Sequence, residues 1–187
     1  MQRLRWSKSI VTPADSRFIV DKHYSLMKKE RHSIVIKKIN QQDSVPYDLL
    51  LLADPSRRMV DEYLEKSEVF VAIEADETLG VLVLYPLTND TVEIKNLAVK
   101  PECQGQGIGS NLINEAVKHA TIKKYKAVFI GTANSSLRQL SLYQKLGFEI
   151  TGVKHDFFIQ HYAEPIFEEG IQARDMIVLS QNLTHPT

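Results

Sequence analysis

Apolar positions along the chain change spacing several times, and those changes outline its elements. Ile34, Val35, Ile36 and Ile39 predict a first strand, closed by a turn-like cluster at Asn40 to Ser44. Pro46 to Ala53 reads as a short helix, and Ser56 is placed to cap a second one carrying Met59, Val60, Tyr63 and Leu64 at helical spacing. The β-branched runs Val69 to Ile73 and Gly80 to Tyr85, parted by the polar Glu74 to Thr78, predict a hairpin. Val92 to Val99 follows as a strand stopped by Pro101. From Gly107 onward, Ile108, Leu112, Ile113, Ala116, Val117 and Ala120 share one face of a long helix that ends near Tyr125. Lys126 to Gly131 reads as a short buried strand, and Leu137 to Leu146 as an amphipathic helix stopped by Gly147. Phe148 to Val153 and Met176 to Leu179 give the last two strands. The order β-α-α-β-β-β-α-β-α-β-β predicts an α/β domain, a mixed central sheet covered by helices. Lys154 to Arg174, rich in aromatics, is long for a connection, and loops of that length are usually functional.

Composition narrows the classes. The 187 residues, 43% hydrophobic and 25% charged, have the balance of a soluble globular protein. No apolar run approaches the ~20 residues a bilayer crossing needs, so no membrane partner is expected. Lys plus Arg (23) equals Asp plus Glu (23), which argues against nucleic-acid binding through bulk charge. The charge is unevenly spread: eight basic against three acidic residues leave +5 over residues 1–32, and therefore −5 over residues 33–187. The first segment reads as a basic extension, either a tail, a docking arm or a packed helix around Asp21 to Arg31, ahead of one domain at 33–187. It lacks the apolar stretch of a secretory signal, and the single Cys103 can form no internal disulfide. A reducing, cytoplasmic setting is expected.

The most informative stretch is Gln104-Gly105-Gln106-Gly107-Ile108-Gly109, between a strand and the long helix. Glycines at alternate positions let backbone N–H groups converge, and the helix N-terminus adds partial positive charge. An anion, most plausibly a phosphate, belongs there. The spacing is neither the dinucleotide fingerprint nor a P-loop, because the last glycine of the one and the Gly-Lys-Ser/Thr of the other are missing.

This segment resembles the Gln/Arg-x-x-Gly-x-Gly/Ala pyrophosphate loop of the GNAT superfamily of acetyl-coenzyme A dependent N-acetyltransferases. Glu93-Ile94-Lys95-Asn96-Leu97-Ala98-Val99 is similar to that family's fourth strand, and Leu142-Tyr143-Gln144-Lys145-Leu146-Gly147-Phe148 to its fourth-helix signature. The resemblance implies a largely antiparallel sheet whose fourth and fifth strands part at a bulge, with the pantetheine arm of acetyl-coenzyme A lying in the gap. Carried over, the N–H of Leu97 polarises the thioester carbonyl, and Val99, with Ala98 between them, pairs with pantetheine. Gln104, Gly105, Gln106, Gly107, Ile108, Gly109 and Ser110 would hold the pyrophosphate. Glu93 stands where relatives keep a general base, and Tyr143 where they keep a general acid; a solvated carboxylate and a core aromatic are the other readings. Relatives place an asparagine about two turns before the tyrosine. Here Asn134 lies nine residues before it and Ser136 seven, so either could supply that polar contact to pantetheine.

Cys103 beside the loop is read as a packed thiol in preference to an acyl carrier. His155 and His161 lack companions at ligand spacing, so no metal is expected. In the 154–174 connection, Asp156, Phe158, Tyr162 and Glu164 offer carboxylates and aromatics suited to a cationic amine. The expected activity is acetyl transfer to a small cationic primary amine. Alternatives are a protein lysine or N-terminal acetyltransferase and a non-catalytic acyl-coenzyme A sensor. The same loop could also be a homodimer contact.

Overall fold

The computed structural model describes residues 33–40 and 43–184. The readings placed on residues 1–32 lie outside the described residues. Strand β1 (Val35–Lys38) pairs antiparallel with β2 (Glu68–Glu74), and helices α1 (Tyr47–Ala53) and α2 (Arg57–Leu64) lie between them in sequence. The Ser56 hydroxyl accepts the Met59 N–H at 3.4 Å, the cap expected for α2. Strands β2 and β3 (Glu77–Pro86) form the predicted hairpin, with Ala75 and Asp76 both at positive φ, the twist a two-residue hairpin turn requires. Strand β4 (Thr91–Val99) follows, then a single 3₁₀ turn at Pro101–Cys103 and the long helix α3 (Ile108–Ile122). Strand β5 (Ala127–Ala133), helix α4 (Leu137–Lys145), strand β6 (Glu149–Lys154), helix α5 (Phe157–His161), the short strands β7 (Phe167–Glu168) and β8 (Ile171–Gln172), and β9 (Met176–Asn182) complete the order.

The main sheet runs β1-β2-β3-β4-β5-β9-β6, and β4 with β5 is its one parallel pair. Two apolar layers sandwich it. On one face Ile108, Leu112, Ile113, Ala116 and Ala120 of α3 meet Phe70, Leu82, Leu84 and Ile130, with Tyr143 and Phe148 at the β6 end. On the other, Leu49 and Leu50 of α1 and Val60 and Tyr63 of α2 cover Val69, Val71, Val81 and Val83. Gly80 lets α3 come close: a Cβ there would stand 3.1 Å from the Leu112 side chain and 3.2 Å from that of Ile108. The connection expected to be one long loop after β6 instead holds α5 and the β7–β8 hairpin, turned by Glu169 and Gly170 at φ 50° and 80°. A five-residue helix and two-residue strands are too short to show a period in sequence.

Candidate active site

Strand β4 carries one extra residue. Its register with β3 runs Val83↔Asn96 and then Leu84↔Ile94, so Lys95 has no partner and forms a bulge. An extra residue reverses every side chain beyond it. Val92 and Ile94 face α3, and past the bulge it is Leu97 and Val99 that pack there, while Asn96 and Ala98 turn to α1 and α2. By the same parity Glu93, opposite Tyr85, lies on the α1 and α2 side.

Beyond the bulge the sheet opens. Strand β4 pairs with β5 only over Thr91–Ile94 against Ala127–Ile130, although β4 continues to Val99 and β5 to Ala133 along β9. Lys100 N–H donates to Leu79 O at 2.9 Å, which sets the alternation of the antiparallel ladder. Counting back, the main-chain groups of Ala98 and Asn96 turn to β3, and those of Leu97 and Val99 turn into the gap.

The glycine turn stands at the end of this strand. Gly105 and Gly107 have φ of 75° and 85°, and a Cβ on either would meet nothing within 4 Å, so their outer faces are open. Gly107 precedes α3, whose first intrahelical bond is Asn111 N–H to Gly107 O at 3.0 Å. The N–H groups of Ile108, Gly109 and Ser110 come before that bond and are free to take an anion, with the helix dipole behind them. The side chain of Ile108 is sunk in the core and holds the turn down. Gln104 Nε2 folds back onto Val99 O at 3.2 Å, and Gln106 Nε2 reaches Glu102 O at 3.4 Å, so both contribute main chain to the open face.

Glu93 is no freely solvated carboxylate: its side chain is 14% exposed and Lys95 Nζ lies 3.2 Å away. Tyr143 is 6% exposed, and burial pushes its phenol up to about 12, so it is a protonated group near neutral pH. Asn134 and Ser136 are engaged within the fold. Asn134 Oδ1 accepts the N–H groups of Arg174 and Asp175 at 2.8 and 3.0 Å while Nδ2 donates to Gln172 O at 3.1 Å, and Ser136 Oγ donates to Glu168 at 2.6 Å. In the 154–174 connection Asp156 pairs with Arg174 at 2.7 Å and Glu169 with Arg138 at 3.2 Å. Glu164 is exposed, and Phe158 stacks on Tyr162 at 5.8 Å. Three residues that the sequence did not single out for chemistry, Asp54, Tyr63 and Asn96, adjoin the bulge. Asn96 Nδ2 donates to Leu50 O at 3.0 Å and to Tyr63 Oη at 2.9 Å. The signal available in sequence was an amide side chain immediately ahead of the apolar run Leu97-Ala98-Val99. Among the described residues no group of His, Cys, Asp or Glu is arranged to hold a metal ion.

A sheet parted beside a bulge, with an anion-binding helix N-terminus at the mouth of the gap, is the architecture of an acyl-coenzyme A dependent acyltransferase. Comparison with known proteins makes the class specific. Residues 65–150 match the model of the acetyltransferase (GNAT) domain. The chain is 53% identical over 137 residues to the uncharacterized N-acetyltransferase YvbK of Bacillus subtilis (strain 168), covering 73% of this chain and 88% of that protein. A GNAT family acetyltransferase from Elizabethkingia anophelis, solved with acetyl-CoA bound, is 47% identical with a TM-score of 0.78, over 80% of this chain and 97% of the other. The IAA acetyltransferase from Bacillus cereus ATCC 14579 is 43% identical with a TM-score of 0.77, over 80% and 99%. The chain belongs to the GNAT acetyltransferase family. It is an N-acetyltransferase with acetyl-CoA as co-substrate.

Proposed function

We propose that the chain transfers acetyl directly from acetyl-CoA to a small cationic primary amine, with Glu93 as base and Tyr143 as acid. The observation that carries this reading is the placement of the two groups on opposite faces of the opened sheet, Glu93 on the α1 and α2 side and Tyr143 in the α3 layer. The Leu97 N–H in the gap donates to the thioester oxygen, where charge grows as the amine attacks; a fixed donor of this kind is worth roughly 3 kcal/mol. Glu93 takes one proton from the incoming ammonium. As the C–N bond forms and the C–S bond breaks, Tyr143 gives its proton to sulfur and recovers one from the second N–H of the former amine. One proton is released per turnover. Gln104 to Ser110 hold the pyrophosphate through main-chain N–H groups, and Val99 pairs with the pantetheine arm. Asn134 and Ser136 act by fixing the wall behind that arm, since their side chains already hold the 168–175 segment.

The −5 balance over residues 33–187 and the half-buried Tyr162 support a cationic acceptor. Asp156, Glu168 and Glu169 are engaged with Arg174, the Ser135–Ser136 pair and Arg138, and Glu93 with Lys95, which leaves Asp54 on the bulge side and Glu164 in the connection as acidic groups that no cation pairs among the described residues. The test is a panel of primary amines assayed with acetyl-CoA. Cationic amines are expected to be acetylated, and transfer confined to neutral or acidic acceptors would overturn the reading.

A further inference from the structure

We infer that Tyr63, oriented by Asn96, is a specificity-determining residue that donates a hydrogen bond to an oxygen close to the acceptor's amine, with Asp54 beside it receiving the ammonium. The acceptor is then an amino alcohol, amino sugar or amino-acid derivative and not a plain alkyl polyamine. The inference rests on the cationic-amine reading above.

Asn96 is 4% exposed, and both of its Nδ2 hydrogens are committed, one to Leu50 O and one to Tyr63 Oη. The Tyr63 oxygen therefore accepts from Asn96, and its own hydrogen must point elsewhere. No acceptor for it is found among the described residues. Asn96 Oδ1 is itself buried without a partner among them. An asparagine kept in an apolar layer with an unpaired acceptor is retained for the two donations it makes, since an apolar side chain would otherwise fit better. Leu50 O also accepts the N–H of Asp54 at 3.0 Å, so one carbonyl ties the end of α1 to the residue after the bulge and brings Asp54 to the same corner. Burial raises both the Asp54 carboxyl and the Tyr63 phenol, and the Asp54 charge is felt by Tyr63 and Tyr162. A protonated phenol next to a partly desolvated carboxylate suits a substrate presenting a cation and an oxygen acceptor together. A donor that is buried and finds no oxygen on the substrate penalises that substrate.

The experiment compares ethanolamine and glycinamide with propylamine and spermidine as acceptors for the full chain. For the parent, kcat/KM is expected to be about tenfold or more higher for the oxygen-bearing amines. Tyr63→Phe keeps the ring in the core and should erase that preference, lowering kcat/KM for the oxygen-bearing amines and raising it for propylamine. Asn96→Ser should weaken the preference in the parent and change nothing further in the Tyr63→Phe background, which a merely structural role would not produce. Asp54→Asn should raise KM for every cationic amine with the KM for acetyl-CoA constant. A parent that favours spermidine or propylamine, or a Tyr63→Phe loss equal across all four amines, overturns the inference and leaves the cationic-amine function standing. Failure of the parent to acetylate any cationic amine removes both.

Discussion

Tyr143 and Glu93 can be separated by what each would do to the rate. A buried phenol held up to about 12 keeps its proton at neutral pH and can pass it to a departing thiolate, but it contributes little to holding the coenzyme. Tyr143→Phe removes the hydroxyl and leaves the ring packed against Phe148 at 6.4 Å. We expect kcat to fall about tenfold or more with acetyl-CoA affinity nearly unchanged, and unaltered turnover would remove the acid role. Glu93 acts on the other proton. Glu93→Gln should lower kcat and alter the dependence of kcat/KM on pH. A pH–rate profile identical to the parent's would place the base elsewhere. Both residues were recognisable as candidates because they sit within motifs. Asp54, Tyr63 and Asn96 were not, because Tyr63 satisfies the helical apolar spacing of α2 and a core reading absorbs it, and the pairing of Asn96 with Leu50 and Tyr63 joins residues 46 and 33 positions apart.

At the scale of elements, the bulge in β4 and the gap beside it were expected from the family resemblance. The strand's apolar positions fit it, since Val92 and Ile94 share a face with Leu97 and Val99 once Lys95 is the extra residue. The glycine turn was equally readable, since two residues at positive φ before a helix call for glycine. The 155–174 connection was not readable, because its helix and hairpin are shorter than any period that could announce them and are held by remote contacts such as Asn134 with Gln172. The turn supports a direct test. Gly107 caps α3 at φ 85° with open space around it, so Gly107→Ala meets no clash and suffers only backbone strain, roughly 1 kcal/mol. For a chain of this size that should lower Tm by about 2 to 4 °C. If the turn grips the pyrophosphate, the KM for acetyl-CoA should rise about tenfold as well, because the reoriented N–H groups miss the anion. A lowered Tm with unchanged KM would leave the turn a purely structural device.

Over the whole molecule, the mixed sheet and its helical layers followed from the order of elements, but the joint that fastens the β1 edge to α3 depends on residues far apart in sequence. Glu68 opens β2 and is met by Lys38 of β1 at 2.8 Å, Lys123 just past α3 at 2.8 Å and His119 of its last turn at 2.9 Å. Burial alone would raise the Glu68 carboxyl, yet hydrogen bonds from Lys123 and Lys38, with the His119 ring against the same carboxylate, outweigh it and draw it from 4.5 down to about 2. A carboxyl depressed by folding stabilises the native state wherever it is ionised in both states. That contribution is present above 4.5 and is lost as pH falls from there toward about 2. Glu68→Gln should therefore destabilise the chain by roughly 1 to 2 kcal/mol at pH 7, since partial exposure screens the ions. The gap between parent and variant should narrow at pH 3 and vanish only below about pH 2. Urea denaturation of both proteins at pH 7, 5 and 3 measures it, and a gap at pH 3 as wide as at pH 7 would show that Glu68 holds the joint by shape and not by charge.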